Sequence, residues 1–477
     1  MYIYRGEDIK RVDQSAEENG LNTFTLMENA GRSLFIEIEK QLKKSDRILI
    51  LSGAGNNGGD GIVLARYLKE ANYHCDLVFP LGMSATETAQ AHLHYFENCG
   101  YSTSAIDGDY DVIIDALLGV GTRLPLPPEI TKLIDWANKQ SGLKIAIDVP
   151  TGVLANKGIV DDAFRADYTY SLHGLKPSAF TEGSFEFYGE KKSLPIGVAH
   201  DSKWRVWSKE DVKSTFLKRH GGANKGTFGT GLLVAGDDEM PGSALLASLG
   251  AMRAGIGKLT VATSHFTSSI IAARVPECTY LHNGLKKLAK GKRPKAITAV
   301  AIGPGLADAE LVEQAVNTLF ASKLPLVLDA GALTARDYPK RQAPTIVTPH
   351  PGEFSRMTGL SVTEIQHNRL ELASEYARTN DVIVVLKGRN TVIAFPDGTL
   401  FVNPTGNVGL AKGGTGDTLT GIMLAHLSCY SDVKAAVLNA VYLHGATADY
   451  WCETKAAASM TASDISENLA IVMKKFE

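Results

Sequence analysis

Short apolar runs, each about as long as a single strand and most of them stopped by glycine, proline or aspartate, recur along this chain, and they leave few folds open to it. In the N-terminal half they are Arg47–Leu51, His74–Phe79, Asp111–Ile114 and Lys144–Ile147. Stretches of helical periodicity, or loops of crossover length, separate most of them, so the runs are expected to form a largely parallel, doubly wound α/β sheet. One such stretch, Thr25–Lys43, opens with Thr25 and Glu28 at capping-box spacing. It carries Leu26, Ala30, Leu34, Ile38 and Leu42 on one face, as a helix lying on a sheet would. A second series follows: Gly231–Ala235, Lys258–Ala262, Ala299–Ile302, Leu326–Leu328, Thr345–Val347, Val382–Leu386 and Thr391–Phe395. With 477 residues the chain exceeds what one core serves, and two domains are expected. The polar segment Gly189–Asp211, with a helix start at Ser208 and Asp211, reads as their connection and sets the domains at 1–207 and 208–477.

Charge narrows the partners. The formal net charge is −3, without a block of like charges or a basic stripe, so neither nucleic acid nor an anionic membrane is an expected partner. The apolar runs are too short to span a bilayer, and the N-terminus is charged where a signal peptide is apolar, so a soluble, cytoplasmic protein is expected. Cys75, Cys99, Cys278, Cys429 and Cys452 form no CxxC pair, which argues against zinc and a disulfide framework.

In open α/β sheets ligands collect at the carboxyl ends of the strands, so the residues just beyond each run matter most. After Leu51 come Gly53, Gly55 and Gly58 in GxGxxG spacing, between a strand and a helix, as in a pyrophosphate-binding turn. No acidic residue follows the next strand to take a ribose, which argues against an ordinary dehydrogenase site. Asn56, Asn57 and Asp60 instead suit either a ligand with phosphate and polar ring groups or a hard cation that prefers oxygen. Asp115 and Asp148 end two further strands, and Thr151 follows the second. Near the C-terminus Lys412–Leu419 reads Lys-Gly-Gly-Thr-Gly-Asp-Thr-Leu. Gly413, Gly414 and Gly416 let backbone N–H groups reach an anion, the following helix adds its positive end, and Asp417 faces the anion. No GxxxxGK[ST] precedes a helix, so an ordinary P-loop NTPase is not expected.

These motifs, taken in order, carry a resemblance. Leu26–Gly31, Gly55-Asn-Asn-Gly-Gly-Asp-Gly61, Asp115–Thr122 and Asp148-Val-Pro-Thr-Gly152 resemble the NAD(P)H-hydrate epimerase domain over almost all of residues 1–207. The resemblance implies a Rossmann-like fold that interconverts the R and S forms of a hydrated nicotinamide cofactor. It places Asn56, Asn57, Gly58, Gly59 and Asp60, together with Gly119, Val120, Gly121, Thr122, Arg123, Leu124 and Pro125, against the hydrate. Asp148 becomes a substrate contact and the acid/base group, and Asn57, Asp115 and Thr151 become ligands of a potassium ion.

The C-terminal half, through Asn224–Gly231, Gly303-Pro-Gly305, Asp329–Leu333, Thr348–Glu353, Lys387-Gly388 and the glycine cradle, resembles the ADP-dependent NAD(P)H-hydrate dehydratase of the ribokinase-like class. Position by position this implies nucleotide contacts at Lys387, Gly388, Arg389, Asn390, Thr391, Gly413, Gly414 and Gly416, and hydrate contacts at Ala244, Gly305, His350 and Asp417. Hydroxide is a poor leaving group, so phosphorylating the ring hydroxyl makes elimination feasible. Asp417 would accept the hydroxyl proton, the cradle would stabilise the phosphoryl group, and Mg²⁺ would offset the remaining charge. The resemblance favours ADP as co-substrate and leads one to expect a homo-oligomer. Two rivals share these residues: a ribokinase-like kinase of a small vitamin alcohol with an accessory ligand-binding domain, and a nucleotide-responsive regulator.

Overall fold

Alternation along each strand decides which core its side chains enter. In β1 (Arg47–Ser52) of the computed structural model, which describes residues 1–83 and 85–477, Ile48 and Ile50 enter one core with Val112, Ile114, Ile145 and Ile147. Leu34 and Leu64, from the helices Thr23–Ile38 and Asn56–Glu70, cover that face. Leu49 and Leu51 enter a second core, where Ile130 and Ile134 of the helix Pro128–Lys139 meet them. Helices therefore cover both faces, as the doubly wound pattern requires. The chain divides into two units, Met1–Arg205 with Gln366–Asn368, and Val206–Ile365 with Arg369–Glu477.

In the first unit, β1, β2 (His74–Val78), β3 (Val112–Ala116), β4 (Leu143–Ile147), β5 (Tyr168–Leu172) and β6 (Glu190–Leu194) form one sheet in the order β2-β1-β3-β4-β5-β6. Every pair is parallel, so the fold is Rossmann-like. Strand β5 is not among the expected strands, and two further features differ from the sequence expectation. The last strand lies inside the segment that reads as a polar connection, pairing from Tyr168↔Glu190 to Leu172↔Leu194. Only Leu194 of that strand is buried, because an edge strand can carry Glu190, Lys191 and Lys192 toward solvent. The first long helix is capped by Asn22, whose side chain accepts from Thr25 N at 2.9 Å, rather than by Thr25. Glu28 is instead bound by Arg66 at 2.5 Å and by Tyr67 at 2.7 Å.

The second sheet contains β7 (Trp204–Val206), β8 (Thr230–Val234), β9 (Lys258–Thr263), β10 (Thr279–His282), β11 (Ala299–Ile302), β12 (Leu326–Leu328), β13 (Thr345–Val347), β14 (Ile383–Leu386), β15 (Val392–Ala394) and β16 (Leu400–Val402). Its order is β10-β9-β8-β11-β12-β13-β14-β15-β16-β7. Pairing is parallel from β10 to β14 and antiparallel at β14–β15 and β15–β16. Ser208 and Asp211 form the expected capping box, with Ser208 Oγ accepting from Asp211 N at 3.2 Å. The helix Thr415–Cys429 lies unusually close to Pro241–Arg253: a Cβ at Gly421 would stand 1.9 Å from the carbonyl oxygen of Ala247. That close approach fixes the N-terminus of the helix that carries Asp417. Among the described residues no helix is long and apolar enough to cross a membrane.

Candidate active sites

In the first unit the turn after β1 is set by steric necessity. A Cβ at Gly53 would lie 1.8 Å from Leu117 O, and one at Gly58 would lie 1.9 Å from Gly53 O, so neither position accepts a side chain. Gly55, the N-cap of the following helix, has open space around it. The three glycines of the GxGxxG spacing therefore do different work. The turn opens into a cavity of about 460 Å³ lined by Asn56, Asn57, Asp60, Gly119, Val120, Gly121 and Asp148. Gly58 and Gly59 are buried beneath it, and Thr122 closes its turn by donating to Gly119 O at 2.8 Å. Arg123, Leu124 and Pro125 are not among the lining residues.

Charge gathers in this cavity. Asp148, in the left-handed region at φ 67°, is paired through Oδ1 with the buried ammonium of Lys176. Leu172 N donates to the same oxygen at 3.1 Å. Asp13, from the helix Gly6–Glu18, also lines the cavity. Burial, then the charge of Asp148, pushes its carboxyl up to about 6, while Lys176 opposes. Burial, then the charges of Asp148 and Asp13, raise Asp60 well above the usual carboxylate range. His173 is buried with both ring nitrogens unpartnered, and burial, then His200 and Lys176, lower it to about 4.

Of the expected potassium ligands Asn57 lines the cavity, and Thr151 and Asp115 connect to it through the Leu118 backbone. Thr151 Oγ1 donates to Asp115 Oδ1 at 2.7 Å and accepts from Leu118 N at 3.0 Å, while Asn57 Nδ2 donates to Leu118 O at 3.1 Å. Asn57 Oδ1 is buried without a partner, and burial pushes Asp115 up to about 6 against the bonds it receives from Thr151. An orphaned amide oxygen and a desolvated carboxylate in one hydrogen-bonded cluster are the oxygen ligands that a hard monovalent cation would take.

In the second unit the cradle heads the helix Thr415–Cys429, with Gly414 as N-cap in the left-handed region at φ 90°. A Cβ on Gly414 would meet Leu246 at 2.4 Å, whereas Gly413 faces open space. Asp417 sits in the first turn, near Ser243, the neighbour of Ala244. Burial, together with the charges of Asp329 and Glu353, pushes its carboxyl up to about 6 against Ser243 and Lys387. Gly305, at φ 61°, leaves room for the same serine, since a Cβ there would stand 2.8 Å from Ser243 Cβ.

Lys387, just past β14, binds Asp329 Oδ1 at 3.0 Å and lies 3.8 Å from Glu353. Burial works against its charge, but Asp329, Glu353 and Asp417 raise its pKa above that of an ordinary lysine. A Cβ on Gly416 would come within 3.4 Å of its Nζ, so lysine and cradle share one site. His350 caps the helix Pro351–Thr358, its Nδ1 accepting from Gly352 N at 3.0 Å, and its backbone N–H donates to Glu353 at 2.7 Å. The segment Lys387–Thr391 is braced by Arg369, which is fully buried and donates to the carbonyls of Leu386, Lys387 and Arg389 at 2.9–3.1 Å. Gly388 lies against that guanidinium, Asn390 takes a left-handed φ of 53°, and Thr391 donates to Gly388 O at 3.1 Å. Among the described residues no group of three or more His, Cys, Asp or Glu side chains could hold a metal.

Sequence reasoning assigned no role to Asp13, His173 and Lys176 in the first unit, or to Ser243, Asp329, Glu353 and Arg369 in the second. Asp329 directly follows β12, a position the strand-end rule singles out. Nothing comparable marks Lys176.

Comparison with known proteins separates the two units. Residues 231–470 match the NAD(P)H-hydrate dehydratase family, and residues 23–178 match the YjeF-related protein N-terminus. The ADP-dependent (S)-NAD(P)H-hydrate dehydratase of Bacillus subtilis is 52% identical over 57% of this chain and 98% of its own length. The bifunctional NAD(P)H-hydrate repair enzymes of Thermofilum pendens and Escherichia coli are 32% and 31% identical, over 97% and 98% of this chain and 94% and 93% of theirs. The crystal structure of the ADP/ATP-dependent NAD(P)H-hydrate dehydratase from Bacillus subtilis, co-crystallised with ATP/Mg²⁺, covers 57% of this chain and 99% of its own, with a TM-score of 0.57 at 52% identity. A ribokinase-like superfamily protein from Enterococcus faecalis superposes with a TM-score of 0.51 over 58% of this chain and 98% of its own, at 25% identity.

Proposed function

The chain belongs to the bifunctional NAD(P)H-hydrate repair enzymes, and on that footing we propose how its two units divide the work. The enzyme equilibrates the R and S forms of hydrated NADH and NADPH and dehydrates the S form with ADP. Epimerisation is assigned to the first unit and dehydration to the second.

In the first unit the hydrate occupies the cavity beside Asn56, Asn57 and Asp60, with Asp148 as proton acceptor. The ring hydroxyl gives its proton to Asp148, and the oxygen's electron pair forms a carbonyl. The ring C–N bond breaks with its pair moving onto the nitrogen and its conjugated carboxamide. Closure on the other face, with return of the proton, gives the other epimer. Asn57, Asp115 and Thr151 would hold a potassium ion, which would supply fixed positive charge beside the hydrate.

In the second unit Lys387 and the N–H groups at Gly413–Gly416 hold the nucleotide phosphates, and Ala244, Gly305 and His350 bound the hydrate. Asp417 takes the hydroxyl proton as the oxygen attacks the terminal phosphorus and AMP leaves. The phosphate ester then departs with the C–O electron pair as the ring nitrogen's lone pair forms an iminium, and loss of the neighbouring ring proton restores NADH. Magnesium bound with the phosphates would offset their charge. The cytoplasm is the proposed location and a homo-oligomer the proposed assembly.

The observation that carries this reading is Asp417, a carboxylate poised at the N-terminus of a helix whose cradle meets Lys387. Incubation with hydrated NADH, with ADP or with ATP, tests it. Recovery of reduced nicotinamide absorbance together with released phosphate is the expected result. A stable phosphorylated hydrate and no NADH with either nucleotide would overturn the reading.

A further inference from the structure

The first unit contains a charge that the roles above leave idle. Lys176 is fully buried, and its ammonium contacts Asp148 Oδ1 and the carbonyls of Gly174 and Leu172 at 3.0 and 3.3 Å. An ion pair this deep adds little stability over well-packed apolar side chains, so packing alone does not explain a lysine here. Both polar contacts to the Asp148 side chain, from Lys176 and from Leu172 N, fall on Oδ1. The residue lines the cavity, which leaves Oδ2 for a ligand. Asp13 and Asp60 line the same cavity, so the ammonium of Lys176 stands among three carboxylates. Among the described residues the other basic side chains along its wall are Lys10 and His173, whose ring nitrogens lack hydrogen-bond partners. Asp148 is also held in a left-handed conformation that a non-glycine residue reaches at some cost, which fixes the direction of its side chain.

We propose that Lys176 is the positioning residue of the epimerase centre: it clamps Asp148 by Oδ1, sets a fixed positive charge beside Asp148, Asp13 and Asp60, and presents Oδ2 to the hydrate hydroxyl. Lys176 itself exchanges no proton with substrate. The inference rests on Asp148 being the proton acceptor, and the experiment separates the two claims.

R/S exchange is followed by NMR in the full-length protein for wild type, Asp148→Asn, Lys176→Met and the double variant, with thermal unfolding of each as a check on folding. Lys176→Met is expected to lower kcat for exchange about 100-fold with KM within about threefold, because the hydrate contacts remain. The double variant is expected to be no slower than Asp148→Asn alone, since a residue that acts only through Asp148 has nothing further to lose. That comparison decides the matter even if Lys176→Met fails to fold with the Asp148 carboxylate left unpaired, because the double variant removes both members of the pair. Exchange by Lys176→Met within threefold of wild type, or a double variant well below Asp148→Asn, overturns the role of Lys176. Full exchange by Asp148→Asn overturns the underlying reading instead.

Discussion

Each unit buries a lysine–aspartate pair among two further acids, yet the two aspartates are bonded differently. In the first unit the pair is Asp148–Lys176, with Asp13 and Asp60 nearby, and the side chain of Asp148 receives its contacts on one oxygen only. In the second the pair is Asp329–Lys387, with Glu353 and Asp417 nearby. Asp329 is saturated: Thr348 and Lys387 donate to Oδ1 at 2.8 and 3.0 Å, and Thr420 donates to Oδ2 at 2.7 Å. Lys387 and these hydroxyls hold its carboxyl below the usual range in spite of burial. Asp329 is thus a brace for Lys387, and Asp417, the carboxylate proposed to take the hydroxyl proton, stands apart from the pair. What distinguishes Asp148 from Asp329 is an oxygen left without a protein contact.

The largest way to break this comparison is Asp417→Asn, which is expected to slow dehydration about 10³- to 10⁴-fold while leaving R/S exchange within twofold. Asp148→Asn is its mirror, with exchange falling about 10²- to 10³-fold toward the spontaneous rate and dehydration of the S form unchanged. Asp329→Asn tests the brace. It leaves Lys387 with a weakened buried environment and is expected to cost about 3 kcal/mol in the unfolding of the second unit, read by denaturant titration.

A smaller effect is expected from pH. Because burial pushes Asp417 up to about 6, its base form is lost below that pH. The rate of dehydration at low nucleotide and substrate should then fall about tenfold per pH unit, and a rate flat down to pH 4.5 would remove Asp417 as the base. Thr420→Ala is the smallest test. Loss of one of the three hydrogen bonds to Asp329 is expected to cost about 1–2 kcal/mol with dehydration nearly unchanged.

The centre of each sheet was legible because strands buried on both faces must be apolar throughout, as Ile48–Leu51 and Ile383–Leu386 are. The edges were not. Strand β6 spells Glu-Lys-Lys-Ser-Leu, and β10 is half-exposed, so neither carries the apolar run that marks a central strand. Asp148 and Asp417 could be singled out because one ends a strand and the other heads a helix after glycines. Lys176 follows β5, whose Tyr-Thr-Tyr-Ser-Leu sequence hides the strand, and Asp13 lies on a helix rich in charge. Their meeting in one cavity is a product of the tertiary fold, which residue spacing does not encode.

The claim that one chain runs a two-step repair is tested most directly by supplying a mixture of R and S hydrated NADH with ADP and Mg²⁺ and following recovered NADH to completion. Wild type is expected to recover fully, Asp148→Asn to show a fast phase equal to the S fraction and then only a slow spontaneous phase, and Asp417→Asn to recover NADH about 10³- to 10⁴-fold more slowly than wild type. A fast phase of full amplitude in Asp148→Asn, or NADH recovered by Asp417→Asn at the wild-type rate, would contradict the claim.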